Sequence, residues 1–328
     1  MWPKPNGAAN GFSIMQPSQL SSGDVIADRR ADYARMLAEG GEPAGAAELM
    51  EQALELVPAW AAGWFSLALY REKAGDADGA AAALRQVLSL DAGDMFGAGL
   101  KLAVLGASAV PDRPPSRYVE QLFDDYAPRF ETSLVEKLGY SVPEKLAALI
   151  AAAPGIPRHF DLAVDLGCGT GLLGPAIRQR VRRLEGFDLS RNMLAKAADK
   201  GVYDHLAQAD LSLAPEACGL FAPGLRRGRA DLVTAADVLM YLGALKSVFL
   251  IVEALAAPGA VFAFSVEDGG DGDAFGLRAS LRYAHCEAYV RGLCADHGLE
   301  VVSLERSVIR MDGGKPVDGI LFLTRRGA

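Results

Sequence analysis

Apolar positions along this chain follow two different rhythms. From about Asp28 to Leu105 they recur every three to four residues in an alanine-rich background, the period of helices that bury one face. After residue 160 they gather into short runs bounded by turn formers, as in Leu162 to Val164, LEGFDLS, DHLAQADLS, ADLVTAADVL and PGAVFAFSVE. Such runs predict buried strands, with helices between them and two last strands in EVVSLERSVIR and GILFLTRR. The pattern therefore predicts an all-α region followed by an α/β sheet, with one helix over Pro143 to Ala153 leading into the first strand.

The helical part also repeats. Gly41 and Gly75 lie 34 residues apart, as do Ala46 and Ala80, Ala47 and Ala81, Leu54 and Leu88, and Leu56 and Leu90. A 34-residue helix–turn–helix period resembles the tetratricopeptide repeat. The second unit carries the fuller match, with Trp64, Leu67, Tyr70, Gly75, Ala80 and Leu88. Two units and a closing helix over about Met95 to Leu105 make either a groove for a peptide or second subunit, or a layer that only packs. Residues 1–27, rich in Gly, Pro, Ser and Asn, read as a loose tail and 28–107 as the helical region. A proline-rich linker at 108–116 then precedes a second domain over 117–328.

That second domain is organised around AVDLGCGTGLLG, Ala163 to Gly174. An apolar run ends in Asp165, glycines follow at 167, 169 and 171, and a helical pattern runs from Leu173 to Arg182. Strand, tight turn and helix N-terminus in that order let a ligand approach the backbone and meet free N–H groups. A dinucleotide fingerprint wants G-x-G-x-x-G. Here the third glycine comes one residue early and an acid closes the strand, which opposes a dehydrogenase.

The D-x-G-x-G-x-G pattern of Asp165, Gly167, Gly169 and Gly171 resembles motif I of the class I S-adenosylmethionine-dependent methyltransferases. That resemblance implies an α/β Rossmann-like seven-stranded methyltransferase sheet whose last strand is antiparallel, with S-adenosyl-L-methionine as cofactor. It implies that the loop, including Cys168, wraps the methionine part. Asp188, 23 residues after Asp165, ends the second strand. It then takes the ribose hydroxyls, beside Leu189, or caps the helix Asn192 to Lys200, which Ser190 also suits. The resemblance also implies that Met193 packs on the adenine. By the same resemblance Asp210 is expected near the adenine amino group, with Leu211 supplying a backbone contact; the other reading is a turn-forming Asp.

ADLVTAADVLMYL resembles motif IV, which aims Asp237 and Tyr241 at the methyl group and brings Ala235 to the cofactor backbone. FDDYAPRFE resembles the segment that lies over the cofactor in this family, making Tyr126 and Arg129 contacts of cofactor or substrate. Tyr118, Tyr283 and Arg282 are expected at the acceptor, and Arg310 is a further clamp for an anion. His285 is the candidate general base or, equally, a packing residue at a helix start. The repeats together with FDDYAPRFE, ADVLMYLG, RYAH and the closing VIR…PVDG segment resemble the predicted methyltransferases with an N-terminal tetratricopeptide region, and the resemblance covers nearly everything from residue 28 onward.

Composition narrows the partners. The formal charge is −8, and no basic run offers a nucleic-acid surface. The four cysteines are scattered without metal spacing, which suits a reducing compartment and implies no metal. No apolar run reaches membrane-spanning length and no signal-peptide core opens the chain, so a cytoplasmic location is expected. The expected function is methylation of an oxygen or nitrogen of a small-molecule acceptor. Two others stay open: methylation of a protein recruited by the repeats, and a non-catalytic interaction module.

Overall fold

A computed structural model of the chain describes residues 21–132, 139–272 and 274–327. Two compact units make it up: one holds the helices up to Gln121, and the other runs from Leu122 onward.

The first unit is a series of helical hairpins: α1 (Val25–Glu39), α2 (Pro43–Leu56), α3 (Ala61–Lys73), α4 (Ala77–Leu90) and the short α5 (Ala98–Val104). Helix α1 starts three residues before the apolar pattern suggested, because the Asp24 carboxylate accepts the Ile26 and Ala27 N–H groups. Gly41 and Gly75 end α1 and α3 with φ of 88° and 85°, so the 34-residue spacing reflects one turn used twice. Alanines 27, 34, 46, 53, 68 and 81 let the helices approach closely around Met50, Phe65, Leu67 and Leu84. Residues 105–115 hold only turns and coil, and α6 (Ser116–Tyr126) carries the boundary between the units.

The second unit is a mixed sheet with helices on both faces. Its elements are α7 (Val142–Ala152), β1 (Phe160–Leu166), α8 (Leu173–Ile177), β2 (Val181–Asp188), α9 (Arg191–Asp199), β3 (His205–Gln208), β4 (Ala230–Ala235), α10 (Lys246–Leu255) and β5 (Ala256–Asp268). They continue with β6 (Phe275–Leu277), β7 (Tyr283–His285), α11 (Glu287–Asp296), β8 (Leu299–Asp312) and β9 (Lys315–Arg326). Strands β3, β2, β1, β4 and β5 run parallel in that order, and β9 enters antiparallel between β5 and β8. The antiparallel last strand agrees with expectation, but the sheet has nine described strands rather than seven. The added pair is β6 and β7. Glu267 already pairs with β9, so β7, which also meets Glu267, lies on the opposite edge of β5, beyond the end of β4.

Strand alternation sorts the core. Val164, Leu166, Val233, Phe262, Phe264 and Phe322 face α10 and α11, with Phe264 stacked on Phe322 at 5.0 Å. Ala163, Leu232, Val261, Ala263 and Leu321 face the layer with α7. On that same face the C-terminal ends of β1, β4 and β5 carry a polar series: Asp165, Thr234, Ser265 and Glu267. Two local readings change. Helix α8 stops at Ile177 and passes through a 3-10 turn into β2, and the stretch after β4 is a loop with a 3-10 turn at Leu239–Tyr241 rather than a helix.

Candidate functional site

Gly167, Gly169 and Gly171 carry the chain from β1 to α8 with φ of 63°, 55° and 82°, a left-handed backbone that a Cβ resists. Cys168 N–H donates to the Phe187 carbonyl at 3.0 Å and Gly171 N–H to the Cys168 carbonyl at 2.8 Å. A Cβ added at Gly167 would lie 2.3 Å from Val238, and one at Gly171 2.8 Å from Tyr203. One added at Gly169 would meet no heavy atom within 4 Å. Packing therefore demands the outer glycines, while the middle one borders open space.

Asp188 stands beside that opening. Its Oδ2 accepts Gly169 N–H at 2.8 Å and its Oδ1 accepts Ser190 N–H at 2.8 Å. Burial pushes the carboxyl up to about 6, against the pull of the Ser190, Gly169 and Leu189 amides. The helix-capping role goes to Ser190, whose hydroxyl accepts Met193 N–H. The Asp188 carboxylate, with more acceptor sites than these amides fill, thus sits next to the glycine that borders open space.

Asp165 does not face the opening. It is 1 % exposed, Tyr203 Oη–H donates to its Oδ2 and Thr234 Oγ1–H to its Oδ1, each at 2.8 Å. The expected cofactor contact becomes a support under the loop, and burial raises this carboxyl also to about 6. Sequence reading missed Tyr203 altogether. Thr234 was in principle findable, since alternation from Leu232 puts it on the face of Asp165.

Around the opening, Met193, Ala235 and Leu211 are buried. The Leu189 carbonyl accepts from Gln208 Nε2 at 2.8 Å. Asp210, half-buried, accepts Ser212 N–H at 2.8 Å through its side chain, so it does form a turn while one carboxylate oxygen stays outside that bond.

The Phe123 to Glu131 segment lies over this end of the sheet. Phe123 meets the Tyr241 ring edge-on at 4.8 Å. Asp124 Oδ1 accepts Ser190 Oγ–H at 2.5 Å and Asn192 N–H at 3.3 Å, and Glu131 pairs with Lys200. Buried Tyr126 packs on Phe130, while exposed Arg129 reaches over the Tyr126 ring at 5.6 Å. Tyr118 falls in the other unit, where its ring covers Gly97.

The residues expected at an acceptor depart furthest from expectation. His285 is fully buried, and its Nε2 lies 2.9 Å from the carbonyls of Leu242 and Gly243. Burial pulls its imidazole down to about 4, against those carbonyls. It is therefore a neutral donor fastening β7 to the loop after β4 rather than a general base. Burial raises the Tyr241 phenol, which disfavours a phenolate there. Tyr283 is buried against Phe275, and Arg282 pairs with Asp312 at 3.2 Å. Arg310 is no open anion clamp: Nη1 binds both oxygens of Asp237, at 3.0 and 3.1 Å, and Nη2 pairs with Glu267. Burial opposes its charge, and the two carboxylates more than restore it, holding the guanidinium above its ordinary range. Glu267, at the acidic end of an otherwise apolar strand, is the member of this cluster that sequence reading did not single out.

Residues 164–262 match a family model described as a methyltransferase domain. Methyltransferase-like protein 27 of Homo sapiens is 30% identical over 118 residues, 35% of this chain and 46% of that protein. Malonyl-[acyl-carrier protein] O-methyltransferase of Enterobacter lignolyticus (strain SCF1) is 30% identical over 118 residues, 36% of this chain and 43% of that protein. The matched stretch spans less than half the length of these curated relatives. The crystal structure of the [4+2]-cyclase SpnF superposes with a TM-score of 0.50 at 14% identity, over 67% of this chain and 99% of that one, a likeness of fold.

Proposed function

We propose that this chain, which carries a class I S-adenosylmethionine-dependent methyltransferase domain, transfers a methyl group to an oxygen or nitrogen of a small-molecule acceptor. S-adenosylmethionine is the cofactor of that family. One observation carries the reading: Gly169 N–H and the Asp188 carboxylate meet at 2.8 Å beside open space at the C-terminal ends of parallel strands. That is where open α/β sheets take their ligands.

The residues suit the cofactor. Asp188 takes ribose hydroxyls, Asp210 an exocyclic amine, and the Gly167–Gly171 loop the amino-acid portion, with Leu189, Met193 and Leu211 supplying apolar walls. Bound there, the cofactor supplies an electrophilic methyl on a sulfonium that leaves as a neutral thioether. The protein contributes position and exclusion of water. Phe123, Tyr126 and Arg129 cover the site, and Tyr241 borders the acceptor. With His285 neutral and buried, an acceptor proton passes to water, and an acceptor already ionised needs no base. The name of the Enterobacter relative states O-methylation, which favours a carboxyl oxygen.

Titration calorimetry on the full chain tests this. We expect micromolar binding of S-adenosylmethionine and at least a fiftyfold loss, roughly 2.3 kcal/mol, in Asp188→Ala. No binding by a folded wild type defeats the proposal. A second reading, recruitment of a protein acceptor by tetratricopeptide-like hairpins, is favoured by the Gly41 and Gly75 turns 34 residues apart. The intact loop and Asp188 oppose a non-catalytic module.

A further inference from the structure

Arg310 lies on the antiparallel strand β8, outside the segments that resemble cofactor motifs, and it binds Asp237, which lies inside one. Its partner Asp237 is one of three described non-glycine residues with positive φ, at 55°. Such a conformation persists only where surroundings impose it, and it gathers at functional sites. Here the impositions are visible. Arg310 Nη1 holds both carboxylate oxygens, and Ser265 Oγ accepts the Asp237 N–H at 2.8 Å. Glu267 holds the other end of the guanidinium, and through β5 it also pairs with β7. The next residue, Val238, is the side chain that a Cβ on Gly167 would strike.

We infer that Arg310 is a positioning residue for the glycine loop. It fixes Asp237 in the left-handed conformation, Asp237 directs Val238 onto Gly167, and Val238 sets the height of the loop that bears Gly169. The expectation that Asp237 faces the methyl group gives way to one in which its carboxylate is spent on Arg310. The inference rests on the reading of this loop as the cofactor grip, and it adds a residue 73 positions from Asp237 in sequence that acts through Asp237 and Val238. An Arg fork is needed, because one group must satisfy two buried carboxylates in fixed directions.

The test uses the full chain, wild type and Arg310→Ala, with fold checked by circular dichroism. S-adenosylmethionine affinity is measured by calorimetry with and without ethylguanidinium, which refills the truncated site. Alkylation of Cys168 in the cofactor-free protein is followed by mass spectrometry, with Cys294 in α11 as internal reference. We expect a dissociation constant about tenfold or more above wild type, recovery with ethylguanidinium, and faster alkylation confined to Cys168. Wild-type affinity and wild-type Cys168 labelling in folded Arg310→Ala overturn the inference, as does equal acceleration at Cys294. If the wild type does not bind, the reading of the cofactor falls, and the labelling alone decides this one. Should Arg310→Ala not fold, Arg310→Lys, which keeps the charge and loses the fork, is read by the same two measurements.

Discussion

Gly167 and Gly169 differ by only 8° in φ, 63° against 55°, yet stand in opposite surroundings. At either position alanine incurs left-handed strain of about 1–2 kcal/mol. At Gly167 its methyl also drives into Val238, and overpacking adds about 1–3 kcal/mol. At Gly169 the methyl enters open space. Gly167→Ala is therefore expected to lower the melting temperature by several degrees more than Gly169→Ala, while Gly169→Ala loses more cofactor affinity than its stability change accounts for. Differential scanning fluorimetry and calorimetry read the two effects separately. Sequence alone distinguishes these residues only as members of one spacing, because the neighbour that separates them, Val238, is 71 positions further on.

At the scale of elements, the covering segment is tied to α9 mainly through Asp124. Its carboxylate takes the Ser190 hydroxyl and the Asn192 N–H, and its carbonyl takes Asn192 Nδ2–H at 3.1 Å. Ser190 in turn caps α9, so the closure and the helix end share one hydroxyl. Loss of a cap-like bond costs about 0.5–2 kcal/mol. We expect Asp124→Ala to speed cofactor release by roughly two- to thirtyfold, as that range converts, and to lower the melting temperature of the free protein by a few degrees. Stopped-flow displacement measures the rate. The strands and the glycine loop were legible in the chain because each is written locally, as an apolar run, a turn residue and a cap. Strands β6 and β7 were not: each is three residues long, and what makes them strands is the edge of β5. Of the two roles left open for His285, packing is favoured by its burial and by carbonyls 43 and 42 positions away, which no local pattern reveals.

For the whole molecule, two buried acids make stability and ligand grip respond oppositely to pH. Asp165 and Asp188 titrate near 3.8 when unfolded and near 6 in the fold. The folded chain binds their protons more tightly, so their stabilising contribution is complete below about 3.8 and is lost as pH rises through about 6. On the proposed reading of Asp188 as the ribose acceptor, cofactor affinity should climb over the same interval, because the carboxylate accepts more strongly than the neutral acid. Asp165→Asn keeps acceptor and donor capacity toward Tyr203 and Thr234 and removes one titration. We expect its melting temperature, measured without cofactor, to fall less than wild type between pH 4 and 6; an identical slope refutes the assignment. None of this coupling is visible in the order of residues, since Tyr203 and Thr234 reach Asp165 from 38 and 69 positions away. Among the described residues the β6–β7 ribbon pairs with the sheet at Glu267 and Asp268, past the last rung of β4, and His285 and Arg282 tie it to the loop after β4 and to β8. On the proposed reading, sequence changes within this ribbon leave unbroken the β1–β2 and β1–β4 rungs beneath Gly169 and Asp188, so the two ends of the sheet can vary separately.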